Sequence, residues 1–120
     1  VIKENKVIGA GFNSVIRDHS VTAHAEINAI HAACRTINNY RLANCDLYVT
    51  LEPCIMCMGA LIHSRIEHLI FGAFDHRAGA AGSIYDFADS SHLNHKFEVL
   101  GGVLEKKCQI LLKDFFQKRR

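Results

Sequence analysis

The stretch LEPCIMCMG, residues 51–59, holds the side chains whose type and spacing are best suited to chemistry. Cys54 and Cys57 form a C-x-x-C pair directly after Pro53, the only proline among 120 residues. Side chains at i and i+3 on a helical turn share one face, with Cβ atoms about 5–6 Å apart. The N–H groups and dipole at a helix start favour thiolates, the form of cysteine that binds metals. We therefore expect the two sulfur atoms to be able to share one ligand.

A lone C-x-x-C pair has four interpretations: a redox dithiol, half of a structural zinc site, part of a catalytic metal site, or two buried thiols. The chain has no second C-x-x-C, which excludes a four-cysteine zinc ribbon. A thioredoxin-like pair would follow an early strand, whereas this pair lies in mid-chain. The five cysteines lack the spacing of a secreted disulfide scaffold, so a reducing, cytoplasmic setting fits best.

The H-x-E of residues 24–26 supplies what a catalytic zinc site would still need. Such a site has three protein ligands and keeps one position for water. If two adjacent helices begin at His24 and Cys54 and point at one spot, His24, Cys54 and Cys57 converge on one Zn²⁺ ion. Two thiolates offset the charge of the zinc, so a nearby base is useful. Glu26 would take a proton from the zinc-activated water and hand it to the substrate.

Strands and helices alternate along the chain and place these motifs. We predict strands over 6–12, 46–51, 66–74 and 96–102, with the first paired to residues 1–2, and helices over 23–33 and 54–64 and from 104 to the end. Thr22 is the expected N-cap of the first helix, and Pro53 the first residue of the second. A glycine-rich loop spans 75–83. The pattern predicts an α/β fold, a three-layer α/β/α sandwich around a mixed central sheet of about five strands.

Composition and charge limit the partners and the domain organisation only loosely. Net charge is +2 and the sequence pI about 8.4, which permits nucleic-acid binding without requiring it. No apolar run approaches the ~20 residues of a membrane span, so we expect no membrane association. We expect residues 1–120 to form a single domain. Because the chain begins without Met inside a predicted strand, we also expect a native N-terminal segment to be missing from it.

H-x-E followed by P-C-x-x-C, each at a predicted helix start, matches the known signature of zinc nucleobase deaminases. TAHAEINAI, LYVTLEPCIMCMGALIHSRI, FGAFDHRAGAAGS and the terminal DFFQKRR resemble the bacterial TadA-type tRNA adenosine deaminases, of the cytidine deaminase-like superfamily, over nearly the whole chain. HAE and PCxxC place only the superfamily, whereas IHSRI, GAAGS and DFFQKRR indicate the tRNA branch.

The resemblance implies hydrolysis of adenosine to inosine at the wobble position of a tRNA anticodon, in a cytoplasmic homodimer. By position in the motif it makes His24, Cys54 and Cys57 zinc ligands and Glu26 the proton shuttle. It further implies that three residues and the basic end of the chain approach the anticodon stem-loop: Asn13 at the flipped base, Asp75 at the nucleotides around the target, and Phe116 with residues 118–120 at the RNA.

The chain also departs from the family pattern. Ser20 and Val21 stand where the family usually has Asp-Pro, and Phe74 stands where an Arg is common. These changes bear on the stiffness of the loop beside the pocket and on one phosphate contact. The family's N-terminal helix is absent as well, so we expect apolar surface to be exposed.

Two other functions share the core motifs. A deaminase of a free base or nucleotide, of the guanine or deoxycytidylate type, needs the same zinc ligands and glutamate. A non-enzymatic subunit could retain zinc without catalysis, but such partners typically lack the glutamate, which this chain retains as Glu26.

Overall fold

A mixed five-stranded sheet forms the centre of the protein. The structure is a computed structural model that describes residues 1–89, 93 and 95–118. Its elements are β1 (Ile2–Lys3), β2 (Lys6–Val7), α1 (Ala25–Ile37), β3 (Asp46–Leu51), α2 (Ile55–His63), β4 (His68–Ala73), β5 (Glu98–Leu100) and α3 (Glu105–Lys118). The sheet order is β2-β1-β3-β4-β5, with β1 antiparallel to its two neighbours and β3, β4 and β5 parallel. The predicted mixed sheet of about five strands is therefore confirmed.

Helices cover both faces of the sheet. Alternate residues of a strand face opposite sides. Leu47 and Leu69, paired across β3 and β4, are buried in one core cluster with Met58 of α2. On the other side, Gly72 of β4 lies against Cys108 of α3, so closely that an added Cβ would overlap the sulfur. α1 contacts α2 and β3, which gives the predicted three layers.

The predicted strand over 6–12 is wrong beyond β2. Residues 8–12 run along α1, where two side chains of that helix hold them. The Thr36 hydroxyl donates to the carbonyl of Ile8 at 2.7 Å, and the Asn28 amide donates to the carbonyl of Phe12 at 2.8 Å. The carbonyl of Val1 still accepts from the N–H of Ile8 at 2.9 Å, and the amino group of Val1 donates to the carbonyl of Gly9 at 2.7 Å. The pairing therefore ends at Gly9, and contacts with the helix hold the rest of the segment.

The predicted C-terminal helix is present as α3. It contacts β3 and β4, but none of its residues through Lys118 is buried. Its later half carries exposed apolar side chains, among them Leu111 and Phe116. None of the helices in the described ranges is long and apolar enough to cross a membrane.

Candidate active site

Both chemistry-bearing motifs lie at helix starts, but the caps differ from the prediction. The N-cap of α1 is His24 and not Thr22, and the N-cap of α2 is Cys54, so that Pro53 precedes the cap. Both caps have extended backbone angles, with φ/ψ of −71°/157° and −78°/178°. The carbonyl of each accepts the first intrahelical hydrogen bond, at 3.0 and 2.9 Å. The predictions of Thr22 as cap and of Pro53 as first helical residue are therefore wrong.

The side chains of these two N-cap residues do not cap the helices but contact each other. N-caps favour Ser, Thr, Asp and Asn, whose oxygens accept from the first helical N–H groups. Neither His24 nor Cys54 makes such a side-chain bond. Instead, Nδ1 of His24 lies 3.6 Å from Sγ of Cys54 and 3.5 Å from Sγ of Cys57. The structure thus brings the three predicted ligands together, with donor atoms all within 4.8 Å of one another.

The donor set fits zinc. One imidazole nitrogen and two thiols are ligands that Zn²⁺ prefers, and three protein ligands are typical of a catalytic site. Burial strongly raises the pKa of the fully buried Cys57 thiol, and the neighbouring Glu26 and Cys54 add to that shift. Burial thus opposes the thiolate that the helix start was expected to favour at Cys57. A thiolate at this position needs a cation beside it.

Glu26 lies in the first turn of α1 and is buried beside the candidate ligand group formed by His24, Cys54 and Cys57. Only 9% of its surface is exposed, and its carboxyl group lies near enough to Cys57 to raise the pKa of that thiol. A carboxylate at a helix start is favoured by the helix dipole. The predicted base is thus next to the predicted ligands and shielded from bulk water.

Asn13 is exposed on the loop that leads to α1. Its Oδ1 accepts a hydrogen bond from the backbone N–H of Val15 at 3.1 Å. The next residue, Ser14, is buried and its N–H donates to the carbonyl of Ala23 at 2.9 Å, directly before His24. The loop that carries Asn13 is therefore fastened beside the first ligand.

Asp75 is half-buried at the start of the glycine-rich loop. Its Oδ1 accepts from the backbone N–H groups of Arg77 and Ala78, at 2.9 and 3.1 Å. Its own N–H donates to Glu52 at 3.1 Å. One carboxylate oxygen of Asp75 thus shapes the loop, and its contact with substrate stays a prediction.

The fold does not bring Phe116 to the candidate ligand group. It lies on α3, which covers the face of the sheet opposite to α1 and α2. Its ring packs edge-on against Phe115, with ring centroids 5.4 Å apart, and the residue is 59% exposed. Of the predicted basic end, Lys118 closes α3, whereas Arg119 and Arg120 lie outside the described residues.

The two departures near the site have visible consequences. The Ser20–Val21 segment forms a turn in which the carbonyl of Ser20 accepts from the N–H of Ala23 at 3.2 Å. Phe74 packs edge-on against Phe71, with ring centroids 5.1 Å apart. The loop before His24 is therefore tied by backbone hydrogen bonds without a proline, and position 74 presents an aromatic ring in place of a cation.

Two polar residues of the site region were missed by the sequence reasoning. Asn28 and Glu52 hold the loops that carry Asn13 and Asp75. Asn28 is a polar residue next to the apolar stripe of α1, and Glu52 is a charge between an apolar strand and Pro53. A polar residue beside apolar ones was the only signal in the sequence that these side chains have a structural role. Their hydrogen-bond partners could not be predicted, because they are distant in sequence.

Comparison with protein-family models and known sequences identifies the family. The model for MafB19-like deaminases matches residues 1–120. The tRNA-specific adenosine deaminase of Haemophilus influenzae is 53% identical over 95% of this chain, which spans 66% of that relative's length. The tRNA-specific adenosine deaminase of Aquifex aeolicus is 45% identical over the entire chain, which covers 79% of that protein.

Solved structures give the same result. A structure from studies of A-to-I editing by tRNA:A34 deaminases at the wobble position of transfer RNA matches with a TM-score of 0.88 and 37% identity, over 92% of this chain and 80% of that one. A guanine deaminase from Bacillus subtilis matches less well, with a TM-score of 0.63 and 30% identity, over 93% and 74% of the two chains. The chain belongs to the family of the tRNA-specific adenosine deaminases.

Proposed function

We propose that this protein hydrolyses adenosine to inosine and ammonia at the wobble position of a tRNA anticodon. The observation that carries the proposal is the convergence of His24, Cys54 and Cys57 beside the buried Glu26. The names of the relatives, and their higher similarity than the guanine deaminase, support an adenosine in tRNA as the substrate.

We infer that Nδ1 of His24 and the sulfurs of Cys54 and Cys57 hold Zn²⁺. Zinc in such a site supplies Lewis acidity, which makes water a strong nucleophile near neutral pH. The carboxylate of Glu26 would take a proton from the attacking water and deliver it to the adenine, from which ammonia departs after attack at C6. The burial of Glu26 keeps competing water away from that proton transfer.

Asp75, one of the proposed substrate contacts, follows a strand that is parallel to the strand before Cys54. β3 and β4 are parallel, with Leu51 paired to Ala73, so the segments that follow them begin at the same edge. Cys54 follows β3 and Asp75 follows β4. We propose that Asp75 contacts nucleotides around the target, that Asn13 contacts the flipped base, and that the exposed ring of Phe116 contacts the RNA. The family motif supports these three roles.

Replacement of Glu26 by Gln tests the mechanism. The change retains size but removes the charge, so deamination should fall by about 10²–10⁴-fold, the usual contribution of general acid–base catalysis. Bound zinc should remain, because Glu26 is not one of the three proposed zinc ligands. The assay is sequencing of an anticodon stem-loop after incubation, where inosine is read as guanosine, together with metal analysis.

The matched control is Glu105→Gln, because Glu105 is also a glutamate in a first helical turn, that of α3. This variant should behave as the wild type. Near-normal turnover by the Glu26→Gln variant would show that the assigned mechanism is wrong.

A guanine or deoxycytidylate deaminase is the second candidate function. The likeness to a guanine deaminase, with a TM-score of 0.63, is the observation that favours it. Ammonia release from guanine, deoxycytidylate and an anticodon stem-loop should be measured side by side. Preference for either small molecule would refute the tRNA proposal.

We further propose that residues 1–120 act as one zinc-dependent deaminase domain in a cytoplasmic homodimer. The family resemblance supports the dimer, and the net charge of +2 is compatible with RNA binding. Light scattering should give a dimer at micromolar concentration, and a stable monomer would contradict this part of the proposal.

A further inference from the structure

Glu52 is a buried carboxylate between β3 and α2. It directly follows the last residue of β3, precedes Cys54 by two positions and is 2% exposed. Its Oε1 accepts from the N–H of Asp75 at 3.1 Å and from the hydroxyl of Ser83. Its Oε2 accepts from the N–H groups of Ala81 and Ser83 at 3.0 and 3.1 Å. Every one of these four donors lies in the loop 75–83.

The loop 75–83 is built around this carboxylate. Gly79 lies so close to Glu52 that an added Cβ would overlap the carboxyl group. Hydrogen bonds to an ionised acceptor are stronger than neutral ones, and a buried N–H without a partner costs free energy. A neutral side chain at position 52 would therefore leave loop donors unsatisfied in a space that has no room for replacement groups.

The same carboxylate connects the loop to the metal-binding helix start. The chain continues from Glu52 through Pro53, whose carbonyl accepts from the N–H of Ala80 at 2.8 Å, to the cap Cys54. Two contacts in succession thus join loop 75–83 to the segment that presents Cys54. The position of Asp75 relative to the proposed metal is set through Glu52.

We propose that Glu52 is a positioning residue for deamination, one that holds Asp75 and loop 75–83 in place for the nucleotides beside the target base. This inference rests on the proposed function, because it requires an RNA substrate that extends beyond the reacting base. Glu52 differs from Glu26 in that its two oxygens point to loop donors. It therefore acts on the substrate through the loop and not on the reacting atoms.

The test compares Glu52→Gln and Ser83→Ala with the wild type. An amide at position 52 turns one acceptor into a donor that faces loop N–H groups, whereas loss of the Ser83 hydroxyl removes one bond and retains the carboxylate. In the Glu52→Gln variant we expect KM for an anticodon stem-loop to rise about tenfold, which corresponds to the usual strength of one such charged bond. In the Ser83→Ala variant a smaller rise, of about two- to threefold, is expected, because the carboxylate keeps its three backbone N–H donors and still holds the loop. Zinc content should remain that of the wild type.

Two further readouts separate positioning from stability. Stem-loops altered at the nucleotides that flank the target should be rejected less strongly by the Glu52→Gln variant than by the wild type. Ser64→Ala is the matched control, since the Ser64 hydroxyl is also buried and donates to the carbonyl of Leu61 at 3.1 Å near the end of α2. That control should lower the melting temperature without a change in KM or in flanking preference.

The outcomes are distinct. Wild-type KM and wild-type flanking preference in a folded Glu52→Gln variant would overturn the proposal, and so would loss of zinc. If that variant does not fold, an unchanged KM in Ser83→Ala overturns it, and a raised KM supports it. A wild-type protein that is inactive on the stem-loop would instead refute the proposed function and, with it, this inference.

Discussion

Replacement of Gly11 by Ala should damage both stability and catalysis. Gly11 belongs to the segment that runs along α1, where an added Cβ would lie 2.6 Å from the backbone nitrogen of Ala29, 2.7 Å from Cβ of Asn28 and 2.8 Å from the carbonyl oxygen of Ala25. Two of these atoms are helix backbone and cannot rotate away. The segment must therefore move outward by about 0.8 Å before the nearest contact reaches an ordinary 3.4 Å.

A displacement of that size acts on the hydrogen bonds of Asn28. Its amide donates to the carbonyl of Phe12 at 2.8 Å and to the hydroxyl of Ser14 at 2.9 Å, and an added 0.8 Å would take both beyond about 3.5 Å, outside hydrogen-bonding range. Overpacking costs about 1–3 kcal/mol and each lost bond about 1 kcal/mol, so the free energy of unfolding should fall by about 3–5 kcal/mol. Asn13, a proposed substrate contact, lies between the two acceptors in sequence, and a misplacement of about 1 Å at such a residue can reduce kcat/KM by about 10²-fold.

Gly59→Ala is the matched control, because nothing lies within 4 Å of an added Cβ at that position of α2. There, alanine should stabilise the protein by about 0.5–1 kcal/mol, since glycine is a poor helix former. Urea unfolding and kcat/KM on an anticodon stem-loop should be measured for both variants at equal zinc content. A Gly11→Ala variant that matches Gly59→Ala in both quantities would refute the reasoning.

Three further predictions concern pH, packing and metal. Hydrogen bonding to Asp46, at 2.7 Å, and the nearby charges of Asp46, Glu67 and Glu98 raise the pKa of His68. Folding therefore favours the protonated form of His68. At pH values below the unfolded-state pKa of about 6.5, His68→Gln should lower the melting temperature, and this difference should disappear as the pH rises through the higher folded-state pKa. An equal difference at pH 5.5 and 9 would contradict this. Gly72→Ala should destabilise the protein by about 1–3 kcal/mol through overlap with Cys108, and Cys108→Ala added to it should recover part of the loss. If the two substitutions have strictly additive effects on the free energy of unfolding in urea, the two residues are not in contact. A chelator should lower the melting temperature of the wild type, since a ligand at 100 times its Kd stabilises a protein by about 2.7 kcal/mol. The melting temperature of a Cys57→Ser variant should not respond to the chelator, and an equal response in both proteins would place the metal elsewhere.

Much of the architecture could be predicted because it follows from local patterns. The segments predicted as strands, 46–51 and 66–74, are rich in apolar, β-branched and aromatic residues, and they contain β3 and β4. The convergence of His24 with Cys54 and Cys57 was predicted from two helix starts in an α/β sandwich, and the structure places them together. These features depend on residues close in sequence and on a general property of parallel strands.

Other features depend on contacts that no local pattern reveals. The pattern of VIGAGF predicts a strand, but its glycines allow the segment to lie directly against α1. This contact depends on a helix about twenty residues later in the sequence, which no local pattern can reveal. Thr22 is a good capping residue by type, yet its hydroxyl lies 3.4 Å from that of Ser20, and His24 is the cap. In both cases tertiary contacts outweigh the local preference.

The two loops that carry the proposed substrate contacts are held in similar ways. Asn28 fastens the loop of Asn13 and lies four residues after His24 on the same helix, while Glu52 fastens the loop of Asp75 and lies two residues before Cys54. Each loop is thus tied to the element that also presents a proposed metal ligand. Because ligand and loop share one support, packing within each element fixes the distance between the proposed metal ligands and the proposed substrate contacts. Such an arrangement can place a flexible RNA nucleotide accurately.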